Sequence, residues 1–216
     1  MGCGSATPLA VTGCAQAALI GAECAPGLRG GTARTVSSPA MTALEETTAW
    51  LEKAVIGLNL CPFAKAVHSK GQIRWVLSDA TQPMALLDLL VQELRHLAAA
   101  DAEAVDTTLI VHPQVLQDFL DFNEFLGVAD DALADLNLDG VLQIASFHPQ
   151  FQFADTDPDD ITNATNRSPH PTLHLLREDS VERAVVAFPE AGDIFKRNIA
   201  TMQRLGPEGW KLLLLR

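Results

Sequence analysis

The chain has 216 residues, of which 48% are hydrophobic, 6% aromatic and 19% charged; this fills one core and a short appendage but is thin for two domains. Its formal net charge of −12 repels nucleic acid and anionic membrane surfaces, and no basic stripe compensates locally. No apolar run approaches the roughly 18 residues needed to span a bilayer.

Four cysteines, three of them within the first 24 residues, do not form a disulfide framework, and a cytoplasmic, reducing setting is expected. Residues 1–40 carry only Glu23, Arg29 and Arg34 as charges and hold seven of the 14 glycines. No apolar period is sustained there, so the stretch is expected to be disordered, and a single α/β domain is expected over 41–216. Val11-Thr12-Gly13-Cys14 looks like a lipoprotein box without its basic lead. Met1-Gly2-Cys3 looks like a myristoylation start, with Ala6 where Ser or Thr is wanted. An upstream start codon or a dispensable tail is the expectation.

From Met41 the pattern changes. Thr42 and Glu45 make a capping box, and Leu44, Thr48, Leu51, Val55 and Leu58 repeat at helical spacing, which predicts a helix over 42–58. Pro62 then breaks the helical pattern. Ile73 to Leu77 reads as a strand, and Leu86, Leu87, Leu90, Leu94 and Leu97 as one face of a helix. Thr107 to Val111 is a second strand. A helix over 114–126 and a shorter one through Leu136 are expected next. Asp139-Gly140 turns the chain into strand 141–147, which Phe151 and Phe153 could extend. Strand 172–176 and one or two helices from Ser180 to about Leu205 complete the order. This alternation predicts a mostly parallel sheet flanked by helices.

Two strand runs end in His-Pro, at His112-Pro113 and His148-Pro149. Beyond the carboxyl ends of parallel strands an imidazole serves as general base, metal ligand or phosphate donor; the structural reading makes each histidine a strand-end group bonded to nearby backbone. The stretch from Ala154 to Pro171 is longer than the roughly 12–15 residues common for a loop inside a compact domain. Its Asp155, Asp157, Asp159 and Asp160 could bind a divalent metal ion such as Mg²⁺ or Ca²⁺, or could cap a short helical turn. Asn163, Asn166, Arg167 and Ser168 suit an anionic small-molecule ligand, while Arg167 could equally pair with a neighbouring carboxylate. Cys61 is open between nucleophile and small buried apolar group.

The strings Gly57-Leu58-Asn59-Leu60-Cys61-Pro62-Phe63-Ala64, Asp118-Phe119-Leu120-Asp121-Phe122-Asn123, Ser146-Phe147-His148-Pro149, Thr165-Asn166-Arg167-Ser168-Pro169 and Leu173-His174-Leu175-Leu176-Arg177-Glu178 resemble the bacterial family called domain of unknown function 1415. The resemblance covers about residues 42–210 and implies a bacterial cytoplasmic domain; the first forty residues depart from it. It implies no activity. The residues leave two classes open. One is an enzyme acting on a small anionic or phosphorylated molecule, with His148, His112 or Cys61 as catalytic groups, and the sequence leans that way. The other is a non-catalytic ligand-binding or protein-interaction domain. The first requires His148, Arg167 and at least one of Asp159, Asn163 or Cys61 to line one concave pocket.

Overall fold

Thr42 starts the first helix as its neighbours demand. Its backbone N–H donates to Glu45 Oε2 at 2.7 Å, and the Glu45 N–H donates back to Thr42 Oγ1 at 3.3 Å. The computed structural model describes residues 42–187 and 191–215; the expected disordered extension over 1–40 lies outside them. Helix α1 (Ala43–Trp50) runs on as a π-helical turn over Leu51–Ile56, widening what the sequence reads as one helix. At its exit the Gly57 N–H donates to Glu52 O at 3.0 Å, and a Cβ at Gly57 would collide with the Lys53 carbonyl.

Helix α2 (Ala64–Ser69), strand β1 (Ile73–Leu77), helix α3 (Pro83–Ala99) and strand β2 (Thr107–Val111) come next, then helix α4 (Phe119–Asp135), β3 (Leu142–Phe147) and β4 (Thr172–Arg177). Helix α5 (Glu178–Ala187) and helix α6 (Ile194–Leu215) close the chain. The last is bent where Gly206, at φ 65°, precedes Pro207, because glycine adopts that backbone freely and proline cannot continue a ladder. Among the described residues no helix is long and apolar enough to cross a membrane.

The strand order is β1-β2-β4-β3, with β1 parallel to β2 and β4 antiparallel to both β2 and β3. The sheet is therefore mixed, which corrects the expectation of a mostly parallel one. The reason lies in the connection between β3 and β4. Its only regular element is a six-residue 3₁₀ turn over Ile161–Asn166, roughly 12 Å long at 2.0 Å per residue, whereas a parallel return needs a crossover along the whole strand. The chain instead re-enters at the edge it left. β1, β2 and β3 still point the same way, so the segments after β2 and β3 meet at one edge with the start of β4 between them.

Alternation along each strand separates two faces. Leu86, Leu90 and Leu94 of α3 and Phe122 and Ala129 of α4 pack with Ile110, Leu142, Leu173 and Leu175 on one. Trp50, Leu51, Ala54 and Val55 pack with Ile73, Trp75, Phe147, Trp210 and Leu213 on the other. At α4 the structure departs from the expected pair of helices. Asp118 caps a single helix, its Oδ1 accepting from Leu120 N–H at 2.8 Å and Asp121 N–H at 3.3 Å. Leu116 sits at φ 55°, outside helical geometry, so no helix crosses 114–118. Phe151 and Phe153 do not extend β3, because the chain turns at once: Phe151 N–H donates to His148 O at 3.0 Å.

Candidate functional site

The carboxyl edge brings His112, His148 and residues 166–171 together. His112 N–H donates to Pro171 O at 3.0 Å and His148 N–H to Asn166 O at 3.2 Å, so the long connection folds back over the strand ends. Both imidazoles lie on the α4 side against Phe122, with ring centroids 5.6 Å away for His112 and 5.1 Å for His148. Phe119 adds a third ring 5.4 Å from His148. Both histidines are fully buried.

Each ring is fixed in one tautomer by its partners. His112 Nδ1 lies 3.1 Å from the Val115 carbonyl, which only accepts, so the proton is on Nδ1. His148 Nε2 lies 3.2 Å from Leu116 O and donates to it, while Nδ1 accepts from Gln150 N–H at 3.1 Å. Two successive carbonyls, one belonging to the left-handed Leu116, are thus tied down by two neutral histidines. Burial lowers the His112 pKa to about 4, and His148 adds a smaller Coulombic push. Burial also lowers that of His148, against the Leu116 carbonyl and the charge of Asp118. His112 Nε2 is buried without a hydrogen-bond partner.

The connection from 149 to 171 is braced from inside. Asn163 is fully buried; its Oδ1 accepts from Phe153 N–H and Thr156 Oγ1, both at 2.9 Å, and its Nδ2 donates to Asp157 O at 2.9 Å. Arg167 crosses the loop, donating from Nε to Phe151 O at 2.9 Å and from Nη2 to Pro158 O at 2.7 Å. Burial pulls its pKa below the ordinary value, with Asp159 and Asp160 opposing. Ser168 Oγ donates to His170 O at 2.5 Å, beside a 2.9 Å bond from Thr172 Oγ1 to the same carbonyl. Asn166 is buried and its carbonyl receives the His148 N–H.

The aspartates are not brought together as a metal set. Among the described residues no group of three or more His, Cys, Asp or Glu is placed to hold an ion. Asp160 caps the 3₁₀ turn, accepting from Thr162 N–H at 2.8 Å and Thr162 Oγ1 at 2.7 Å, and these bonds lower its pKa. Asp155, at φ 61°, Asp157 and Asp159 do not converge on it; all three are exposed. Cys61 lies away from both histidines, packed against the Trp50 cluster on the opposite face. Burial raises its thiol pKa in spite of the Phe63 and Ala64 backbone N–H groups directed at it, so it is a thiol and not a thiolate at neutral pH.

One pair at this edge has no sequence signal. His170 Nε2 meets Glu46 Oε2 of α1 at 2.5 Å, 124 positions away. His170 is visible in the loop; nothing in the sequence points to Glu46 as its partner.

A mixed four-stranded sheet between two helical layers, with an internally braced connection over one edge, defines a mixed α/β domain. The family model described as a protein of unknown function (DUF1415) matches residues 42–212, and the chain belongs to that family. No curated protein and no solved structure matches the chain.

Proposed function

We propose that this protein is a non-catalytic binding domain, and that its 149–171 connection is a preformed docking surface. The observation that carries this reading is the hydrogen-bond inventory. Most polar side chains suited to chemistry at the carboxyl edge are engaged with the protein's own backbone: His148 through both nitrogens, Arg167 across the loop, Asn163 through two of its three bonds, Ser168 through its hydroxyl, and His112 through Nδ1, with only its buried Nε2 unbonded. A rigid loop loses little entropy when a partner settles on it. What it offers outward is the acidic run Asp155, Asp157 and Asp159, a ridge suited to a basic partner segment.

The test compares thermal melts of wild type, Arg167→Ala and His148→Ala, each with and without phosphate and a panel of phosphorylated metabolites. The binding-domain reading expects both variants to be destabilised when empty and wild type to ignore the anions. It also expects a lysine-rich peptide to bind wild type more tightly than a protein with Asp155, Asp157 and Asp159 all changed to Asn. Anion-induced stabilisation of wild type, lost in an Arg167→Ala protein of undiminished stability, overturns it in favour of an anion-handling enzyme.

A further inference from the structure

At the opposite edge of the sheet, where β1 and β2 begin and β4 ends, a crevice of about 180 Å³ opens between α2, the 100–106 connection and α5. Its walls include Lys70, Gln72, Glu103, Asp106, Ser180 and Arg183. Three features set it apart from the carboxyl edge. Gln72 is only 6% exposed, and its Nε2 donates to the carbonyls of Ala102 at 3.3 Å and Glu103 at 2.9 Å. That fixes the amide orientation, leaving Oε1 as an acceptor that no donor among the described residues fills. Arg183 Nη2 donates to Ser180 Oγ at 2.9 Å, and Ser180 Oγ donates to Asp106 Oδ1 at 2.5 Å, so one relay holds a guanidinium and a carboxylate at set positions. Finally, no described residue hydrogen-bonds or ion-pairs with the Lys70 ammonium.

We infer that this crevice binds a small zwitterion of the α-amino-acid type. Lys70 and Arg183 take the carboxylate, while Asp106 and Gln72 Oε1 take the ammonium. The charges decide among ligand classes. An inorganic anion or dicarboxylate would meet Asp106 and Glu103 as well as the two cations, and would be opposed by the chain's net charge of −12. A polyamine would meet Lys70 and Arg183. Two cations and two carboxylates in one small space match a ligand carrying one charge of each sign, with charge-assisted bonds at both ends. The volume sets the size, since it falls below the roughly 300–1,000 Å³ of sites for drug-sized molecules.

The experiment titrates the full chain with glycine, alanine, serine and glutamine, with acetate and ethylamine as half-ligands, and reads backbone amide shifts and heats of binding. At least one amino acid is expected to saturate with Kd at or below about 1 mM, moving amides within 66–72, 102–106 and 180–183. Each half-ligand should bind at least tenfold more weakly, roughly the cost of losing one charged contact. Lys70→Ala and Asp106→Asn should each weaken binding by roughly tenfold or more while the melting curve shows the fold intact. A third variant, Arg183→Gln, keeps the result readable if Asp106→Asn disturbs the relay. Absence of saturable amino-acid binding, equal binding of acetate, or affinity indifferent to Lys70 and Arg183 overturns the inference.

Discussion

The two ends of the sheet use their polar residues in opposite ways. At the carboxyl end, Asn163, Arg167, Ser168, His112 and His148 turn inward and satisfy backbone groups that a long non-repetitive connection leaves without partners. At the amino end, Arg177 does similar work, donating to the carbonyls of Leu97, Ala100 and Val105 where α3 ends. Next to it, Lys70 and Gln72 Oε1 keep open hydrogen-bonding capacity around a crevice. A connection without helix or strand must find side-chain partners for its backbone. Conspicuous polar residues there serve architecture first. Open capacity arises where ordinary residues from three separate elements face one another across solvent.

Acid is expected to break the carboxyl end hardest. His112 has a folded pKa of about 4 against about 6.5 unfolded. Its depressed value means the unfolded state takes up the proton first. The stability from keeping it neutral is complete above the unfolded value and is lost as pH falls from there toward 4, reaching roughly 3 kcal/mol. His148 acts in the same direction. His174 does too, on the other face, with a folded value of about 4. Urea unfolding between pH 7.5 and 5 should show a plateau and then a fall, with the His112 ring signal still neutral near pH 5.5 by NMR and the His148 ring taking up its proton at lower pH than a free imidazole. A flat profile, or early protonation of either ring in the folded protein, would show that the two rings are not held as the hydrogen bonds describe.

Asn163→Ala is the next largest expected effect, about 2–3 kcal/mol for three lost bonds and a stranded Phe153 N–H. Lys70→Ala at the other end should stay within about 0.5 kcal/mol. Equal losses at the two sites would erase the contrast between the edges. Arg167→Ala should cost less than Asn163→Ala, about 1–2 kcal/mol, since the two carbonyls it leaves, on Phe151 and Pro158, belong to residues that are not fully enclosed. Urea melts of the three variants alongside wild type settle the order.

Much of the fold is legible in the sequence, for physical reasons that differ by element. Strands Ile73–Leu77 and Thr107–Val111 announce themselves by β-branched residues, and the Thr42–Glu45 box by its spacing. The two His-Pro runs do mark one edge, although of a mixed sheet, because β3 keeps the direction of β1 and β2 even with β4 reversed between them. The reversal is not legible, since strand direction depends on whether a connection crosses the sheet, and no local signal carries that. The left-handed Leu116 hides the true start of α4, because leucine gives no turn signal. The Glu46–His170 pair and the crevice at Lys70 are invisible for a related reason: they depend on which elements the topology brings side by side.

The smallest expected effect is that of metal removal, and it sharpens the contrast by being absent. Four aspartates within six residues suggest an oxygen-ligand cage. In the folded loop, however, Asp160 Oδ1 is occupied by the Thr162 N–H and hydroxyl, and Asp155, Asp157 and Asp159 do not converge. A carboxylate open to solvent binds a divalent ion weakly when its neighbours cannot complete the coordination shell, and weak binding transmits little stabilisation to the fold. EDTA should therefore leave the melting temperature unchanged within about a degree, and millimolar Mg²⁺, Mn²⁺ or Ca²⁺ should add no more than that, since a site holding ion at 100 times its Kd would contribute about 2.7 kcal/mol. A drop of several degrees on chelation, reversed by one of these ions and abolished by Asp157→Asn and Asp159→Asn, would mean that the loop closes around metal in solution. The carboxyl edge would then be a ligand site after all, built from the loop aspartates and not from the histidines.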